Sequence, residues 1–338
     1  MKILSALRDG IGRVDRAPAV LVGVLLATFL AALPLGLTLR GMIGQHLGAS
    51  LAAEQAANGV NYEWWQEFQD QAAGVGTTFT PTILGFGAVL DNLSAVLDNR
   101  PHAAAVAGAG AAYVLFWIFI VGGIIDRYAR NRPVRSHGFF SASGVFFFRF
   151  LRLAVLAWIG YGVLFSYVHA WLFSSLYPWV TRDFTVERSA FIVRVVLYLV
   201  FGVVLLAMNM LFDYAKIRAV VEDRRSMIGA LVAGGRFIAR HPASTSALYL
   251  LNGALFVLVL AFYAAVVPGA GGLGWPMWLG LAIGQLYLLA RLWVKLVFYA
   301  SQTSFFQSQL AHAEYTAAPQ PVWPESPAAE AIGPASTR

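Results

Sequence analysis

The fold is decided by residues 191–251, which read FIVRVVLYLVFGVVLLAMNMLFDYAKIRAVVEDRRSMIGALVAGGRFIARHPASTSALYLL. An apolar stretch of helix length ends at Phe212, a basic cluster runs from Lys216 to Arg225, and a second apolar stretch begins near Ala243. The segment between the apolar stretches mixes arginines with apolar residues. This pattern predicts a membrane span closed by a basic cluster, then an amphipathic hinge and a returning span.

The composition is typical of a membrane protein. Of the 338 residues, 59% are apolar and only 12% are charged, whereas soluble domains carry about 25% charged residues. A span needs about 20 apolar residues, and six stretches are long enough: 17–39, 103–125, 153–180, 189–212, 243–267 and 276–300. Because no alternating strand pattern runs through them, we expect an all-α, polytopic bundle of about six transmembrane helices. The predicted membrane domain covers 17–310.

The distribution of charge predicts the topology. Residues 40–100 hold six acidic and two basic side chains, 126–152 hold six arginines and one aspartate, and 213–240 hold six basic and three acidic side chains. Lysine and arginine accumulate in cytoplasmic loops. We therefore expect 40–100 to be an extracytoplasmic loop and both termini to be cytoplasmic. The net charge of +7 flanks the spans, so anionic lipid is the expected partner and nucleic acid is not.

Both chain ends and the outer loop have their own signatures. Residues 1–16 predict a short cytoplasmic N-terminus before a retained first helix. A cleaved leader is the alternative, but its apolar region would be too long and Asp9 and Asp15 are unusual in one. Prolines and alanines predict a disordered cytoplasmic tail over 311–338. In the outer loop, apolar residues at helical spacing predict helices on the membrane face. An interfacial aromatic anchor is expected from Tyr62, Trp64, Trp65 and Phe68.

The basic segments 126–152 and 213–240 resemble each other. Aligning Ser136 with Ser226 places Gly144 on Gly234. The pattern indicates a parallel repeat, although chance similarity between two basic loops remains the alternative. Each copy would contribute an amphipathic hinge helix lying in the interface, with its arginines toward lipid phosphates. The arginines expected to contact anionic lipid are Arg149, Arg152, Arg236 and Arg240.

Two cations lie inside the sixth span. Arg291 and Lys295 share one helix face, and at about 1.5 Å per residue Arg291 lies roughly 22 Å from Pro276, nearer the cytoplasmic surface than the midplane. Under one interpretation both cations reach toward the surface or pair with buried partners, Asp126 and Asp213. Under the other, they hold an anionic headgroup or substrate.

The motifs of common catalytic sites are missing from the sequence. There is no cysteine, and no nucleophile elbow, phosphate-binding glycine loop or His-Glu-x-x-His motif is found. We therefore expect no catalytic residue, no metal and no cofactor. The sequence favours a non-enzymatic membrane protein that binds lipid or a membrane protein partner. A transporter or permease-like subunit is the alternative, and an intramembrane lipid-modifying enzyme comes third.

Several segments resemble a known group of proteins. They read LRDGIGRVDRAP, GGIIDRYARNRP, SGVFFFRFLRL, FDYAKIRAVVEDRRS, GGRFIARHP and ARLWVKLVFYASQ. The chain resembles uncharacterised bacterial multi-pass membrane proteins and, more distantly, the membrane domain attached to some glycerophosphodiester phosphodiesterases. The resemblance implies a location in the bacterial inner (cytoplasmic) membrane. Because the catalytic barrel of those enzymes is missing, it implies neither hydrolase activity nor any functional residue.

Overall fold

The computed structural model describes residues 3–48, 50–58, 61–80, 82–83, 85–101, 103–268 and 274–312. Among these residues every regular element is helical. The α-helices are α1 Ile3–Asp15, α2 Pro18–Leu47, α3 Ala53–Asn58, α4 Tyr62–Gln71, α5 Gly85–Leu97, α6 Ala107–Arg130, α7 Ser136–Val163, α8 Tyr177–Thr181, α9 Glu187–Val221, α10 Met227–Arg240, α11 Pro242–Val266 and α12 Trp275–His312. Short 3-10 turns occupy Gly74–Thr78 and Ala104–Val106, and π-helical turns join α7 to α8.

Six helical segments are long and apolar enough to cross a membrane, which confirms the predicted all-α, six-span bundle. They are Pro18–Leu47, Ala104–Arg130, Ser136–Thr181, Glu187–Val221, Pro242–Val266 and Trp275–Leu310. Most extend well beyond the apolar stretches read from the sequence. The last helix continues to His312, two residues into the predicted tail. The remainder of that tail, 313–338, lies outside the described residues.

We call the end of the bundle that holds α1, the turns 131–135 and 222–226 and the last turns of α12 the basic end. Here α1 packs along α12 so closely that a Cβ on Gly10 would lie 2.6 Å from the Ser301 Cα. The Arg13 guanidinium donates to the Tyr128 carbonyl (2.6 Å) and to the Gln307 side chain (2.8 Å). The predicted N-terminal segment is therefore an integral part of the bundle.

The opposite end, which we call the loop end, is covered by α3, α4 and α5. The four aromatic residues of the predicted anchor do not behave alike. Trp64 and Phe68 are buried, and the Trp64 indole donates to His46 of α2 (2.9 Å). Tyr62 and Trp65 stack on each other at the outside. Half of the expected anchor is thus the small core of this cap, because α4 turns one face toward α2.

Polar contacts at the end of α5 hold this cap against the spans. The Asp98 carboxylate accepts a hydrogen bond from the Tyr198 hydroxyl and lies 3.6 Å from Arg194. The hydrogen bond from Tyr198, together with the positive charge of Arg194, holds the pKa of the Asp98 carboxyl below its usual range. On the adjacent span, His169 bonds the Leu97 carbonyl (2.8 Å). The outer helices are therefore held by polar contacts to two spans.

The two copies of the predicted repeat begin in the same way. Both α6 and α9 end near a residue in the left-handed region, Asn131 or Asp223, each with φ of 48°. The next helix starts at Ser136 in the first copy and directly after Ser226 in the second. Ser226 caps its helix by accepting from the Gly229 N–H (3.1 Å). When Ser136 is aligned with Ser226, however, Asn131 and Asp223 do not coincide, so the two turns are alike only in holding one left-handed residue each.

The copies then diverge. In the second, α10 ends at Arg240 and Pro242 opens a new helix, because proline lacks an N–H and disfavours helical geometry in the residue before it. In the first, Arg152 stands where the second copy has Pro242, and the helix runs without a break from Ser136 into the span, which ends at Thr181. The structure therefore corrects the prediction for 136–152, which form the first turns of a span and no separate hinge helix.

Candidate functional site

A cavity of about 760 Å³ lies between α2, α6, α9, α11 and α12. We call it the central cavity. Its polar lining residues are Thr28, Tyr113, Asn209, Asp213, Lys216, Tyr249, Arg291, Lys295 and Tyr299. The two cations predicted inside the sixth span, Arg291 and Lys295, both line it. Residues from five helices therefore line the cavity that contains both cations of the sixth span.

Both cations lie far from the two ends of α12. Gln307 of α12 bonds the Ala129 carbonyl (2.9 Å) at the basic end. Counting back along α12, Lys295 lies about 18 Å and Arg291 about 24 Å from that level. Arg291 is equally far from the start of the helix at Trp275. The position of Arg291 relative to the bilayer surface and midplane stays a prediction.

One ion pair of the central cavity is complete. The Lys216 ammonium lies 2.7 Å from the Asp213 carboxylate, one turn apart on α9, and both side chains are largely buried. The Lys216 ammonium also lies 5.2 Å from the centre of the Tyr299 ring. Within this pair the two charges therefore balance each other.

Arg291 and Lys295 are placed differently. The Lys295 ammonium lies 3.3 Å from the centre of the Trp117 ring, and across the described ranges neither cation has an ion pair. The predicted carboxylate partners are engaged elsewhere: Asp126 pairs with Arg130 (2.9 Å), as Asp213 does with Lys216. The structure thus replaces the predicted pairing with pairs inside α6 and α9. With three cations and one carboxylate, the cavity carries a net charge of about +2.

Sequence reasoning missed several members of this site. Lys216 and Trp117 belong to α9 and α6, and the three-residue spacing of Asp213 and Lys216 was the only local signal. The polar wall continues where Tyr161 donates to the Asn209 side chain (2.6 Å). Nothing in the local sequence shows that Lys216 and Trp117 lie near Lys295, because these contacts join segments far apart in the chain.

The two predicted arginines of α7 do not form a shared site. The Arg149 guanidinium lies 2.5 Å from the Asp223 carboxylate and over the Phe146 ring, so it joins α7 to the turn before α10. Arg152 is exposed and donates to the Phe148 carbonyl of its own helix (3.3 Å). Arg149 is therefore a bridge between the two copies of the repeat.

The two predicted arginines of α10 line a second cavity, of about 520 Å³, between α9, α10 and α12. We call it the arginine pocket. Its charged and titratable lining residues are Arg218, Arg224, Arg236, Arg240 and His241. The helix α10 does not lie free in the interface, because it packs Gly234 against the Ala215 backbone of α9, where an added Cβ would meet the Ala215 nitrogen at 3.1 Å.

Other kinds of site find no support in the described segments. A search of these residues finds no group of three histidine, aspartate or glutamate side chains placed to hold a metal ion. Comparison of the chain with protein-family models, with curated proteins and with solved structures finds no match. The two cavities and their charges are therefore the features that bear on function.

Proposed function

We propose that this protein binds an anionic amphiphile, either a lipid or a lipid-like molecule, in the central cavity. The observation that carries the proposal is the position of Arg291 and Lys295, which lie in mid-helix, line a cavity and have no ion pair. A binding role is preferred to a catalytic one because the sequence holds none of the common catalytic motifs.

The energetics support this choice of ligand. A charged side chain inside a membrane is costly unless it is paired or hydrated. A phosphate or carboxylate entering the cavity would supply the missing negative charge beside Arg291 and Lys295. Apolar lining residues, among them Leu35 and Phe256, offer a surface for an acyl chain. The volume of about 760 Å³ lies within the usual range of ligand sites, about 300–1,000 Å³.

We further propose that the basic end faces the cytoplasm of a bacterial inner membrane, with both termini on that side. The distribution of arginines supports this orientation. The chain has no native cysteine, so single cysteines between Glu54 and Asp70 can be labelled selectively. They should react with a membrane-impermeant reagent on intact cells. Reaction only after the membrane is opened would reverse the orientation.

Transport is a second candidate, favoured by the position of the central cavity between five helices. Transporters commonly hold their substrates near the bilayer midplane between helices. If the bound molecule is released on both sides, proteoliposomes should move a labelled anionic amphiphile between leaflets or across the membrane. Vesicles that retain binding but show no movement above protein-free controls would leave binding as the function.

The binding proposal is tested by native mass spectrometry of the full chain. Wild-type protein should retain anionic amphiphile, and Arg291→Gln/Lys295→Gln should lose at least about tenfold in retention, since each lost charge-assisted bond is worth about 1.5–3 kcal/mol. The matched control, Arg132→Gln/Arg135→Gln, removes the same charge from an exposed turn. Equal retention by the cavity variant and wild type would refute the proposal. The same spectra reveal whether a second protein chain, the other predicted partner, co-purifies.

A further inference from the structure

The arginine pocket is a second cluster of cations, and it shares no lining residue with the central cavity. We infer that it binds the phosphate group of a phosphate ester. The inference does not depend on the proposed function of the central cavity, because other residues, at another depth, carry it. It rests on the four arginines that line this one cavity. Two of them, the paired half, bond a glutamate, and the other two, the unpaired half, have no such partner among the described residues.

The paired half forms a rigid wall. Arg218 donates to Glu222 through two nitrogens (3.0 and 2.6 Å) and to the Ala233 carbonyl of α10 (2.6 Å). Arg224 donates to the other oxygen of the same carboxylate. Phe306 of α12 lies beneath the Arg218 guanidinium, whose carbon is 5.5 Å from the ring centre. These contacts fix the cations from α9 and from the turn that follows it.

The unpaired half lies on α10. Arg236 and Arg240 are four residues apart and therefore project from the same face of the helix. Both are exposed, and in the part of the chain that the structure describes neither has a hydrogen bond or an ion pair. The close packing of Gly234 on α9 holds α10 in place, so the backbone that carries these two arginines is fixed while their charges are not neutralised.

The chemistry of the cluster selects the ligand. Four arginines around one glutamate leave an excess of about three positive charges, and two forked guanidinium groups have all their donors available. Guanidinium binds phosphate oxygens in a bidentate manner. A phosphate monoester offers three terminal oxygens and up to two negative charges to Arg236 and Arg240, and a diester offers two oxygens and one charge. We therefore commit to the phosphate of an ester, since phosphate chemistry can match the excess of positive charge most fully.

The phosphate group could belong to a soluble ester or to a lipid headgroup. Ile228 and Val232 are exposed on the same helix, and Val232 lines the pocket. Both sources present the same chemistry to Arg236 and Arg240, so the experiment includes one probe for each. Inorganic phosphate represents the soluble source, and phosphatidylglycerol in detergent micelles represents the headgroup, with phosphatidylcholine as the zwitterionic reference.

Binding is measured on the purified full chain by calorimetry for phosphate and by native mass spectrometry for lipid. We expect wild-type protein to bind at least one probe saturably, and Arg236→Gln/Arg240→Gln to weaken that binding about tenfold or more. Arg236→Lys/Arg240→Lys keeps the charge but loses the fork, so its affinity should fall between the two. The control Arg132→Gln/Arg135→Gln should stay within about twofold of wild type.

Each outcome decides the inference. If Arg236→Gln/Arg240→Gln loses binding of inorganic phosphate, the pocket is assigned to soluble esters. If this variant loses binding of phosphatidylglycerol and wild type does not bind inorganic phosphate, the pocket is assigned to lipid headgroups. Phosphate binding should be unchanged in Arg291→Gln/Lys295→Gln. The lipid comparison is made in that background, where the proposed binding in the central cavity is removed, and the phosphatidylglycerol that it still retains should be lost when Arg236→Gln/Arg240→Gln is added. The inference is overturned if wild type binds neither probe, if the glutamine variant binds like wild type, or if the control weakens equally. Should the glutamine variant fail to fold, the lysine variant decides by the same comparison.

Discussion

The basic end and the central cavity both place charged side chains among apolar helices, but they satisfy those charges differently. At the basic end, Arg13 of α1 donates to a carboxylate, a carbonyl and an amide oxygen. In the central cavity, Lys295 lies on an aromatic ring and Arg291 has no ion pair across the described ranges. Charges of the first kind hold helices together, whereas those of the second kind remain available to a ligand. The comparison therefore separates residues that maintain the fold from the residues on which the proposed function rests.

The largest expected effect comes from Arg13, which joins α1 to α6 and α12. Arg13→Ala removes a donor from the Tyr128 carbonyl and from the Gln307 side-chain oxygen, and it leaves Asp9 with only the Ser304 hydroxyl. It should destabilise the protein by about 3 kcal/mol. The measurement is unfolding in mixed micelles at increasing denaturing detergent. Arg8→Ala removes an exposed arginine from the same helix and should change stability by no more than about 0.5 kcal/mol. Equal losses in the two variants would contradict the structural role of Arg13.

A smaller effect is expected where α1 and α12 touch. A Cβ on Gly10 would lie 2.6 Å from the Ser301 backbone, so Gly10→Ala must push the two helices apart and should cost about 2 kcal/mol. Gly12→Ala is the control, since its Cβ would meet only the end of the Arg16 side chain. The same unfolding assay should show Gly12→Ala unchanged or slightly stabilised, because alanine favours helix over glycine. A neutral Gly10→Ala would show that α1 is not tightly docked.

Composition and charge were enough to predict the six spans, because apolar length is a local property of the sequence. The burial of the last turns of α12 was not predictable in the same way. Polar residues from Ser301 onward look like the end of a span, but Ser301 and Ser304 are buried. Ser301 accepts from Asn252 of α11 (3.0 Å), and Ser304 donates to Asp9 of α1 (2.6 Å). A polar run can continue a buried helix when neighbouring helices satisfy it, and the neighbours are not visible in the local sequence.

The site shows the same limit. Arg291 and Lys295 could be singled out as intramembrane cations, but their surroundings come from segments far away in the chain, such as Trp117 and Lys216. The separate helix α10 was predictable from Pro242, which punctuates the chain. The continuous helix of the first copy was not, because an amphipathic stretch followed by an apolar stretch has the same pattern whether or not the helix breaks between them.

The smallest change in stability is expected at Lys295. Because no carboxylate depends on it for an ion pair, Lys295→Met should leave the free energy of unfolding within about 1 kcal/mol of wild type, or raise it, since replacing a desolvated charge by an apolar group is often neutral or stabilising. Lys216→Met is the matched substitution in the same cavity. It strands the Asp213 carboxylate and should cost about 3 kcal/mol. A large loss for Lys295→Met would make Lys295 a structural residue.

The central claim is that an anionic amphiphile occupies the central cavity beside Arg291 and Lys295. Gly110 lines this cavity and Gly108 does not, and a Cβ at either position would meet no atom within 4 Å. Each can therefore carry a single cysteine in a chain that has none, and the rate of its reaction with a small thiol reagent is the measurement.

Phosphatidylglycerol, but not phosphatidylcholine, should slow the reaction of Gly110→Cys and leave Gly108→Cys unaffected. The protection should disappear when Arg291→Gln and Lys295→Gln are added. Protection of Gly110→Cys that is equal with both lipids, or that persists without the two cations, would contradict the claim.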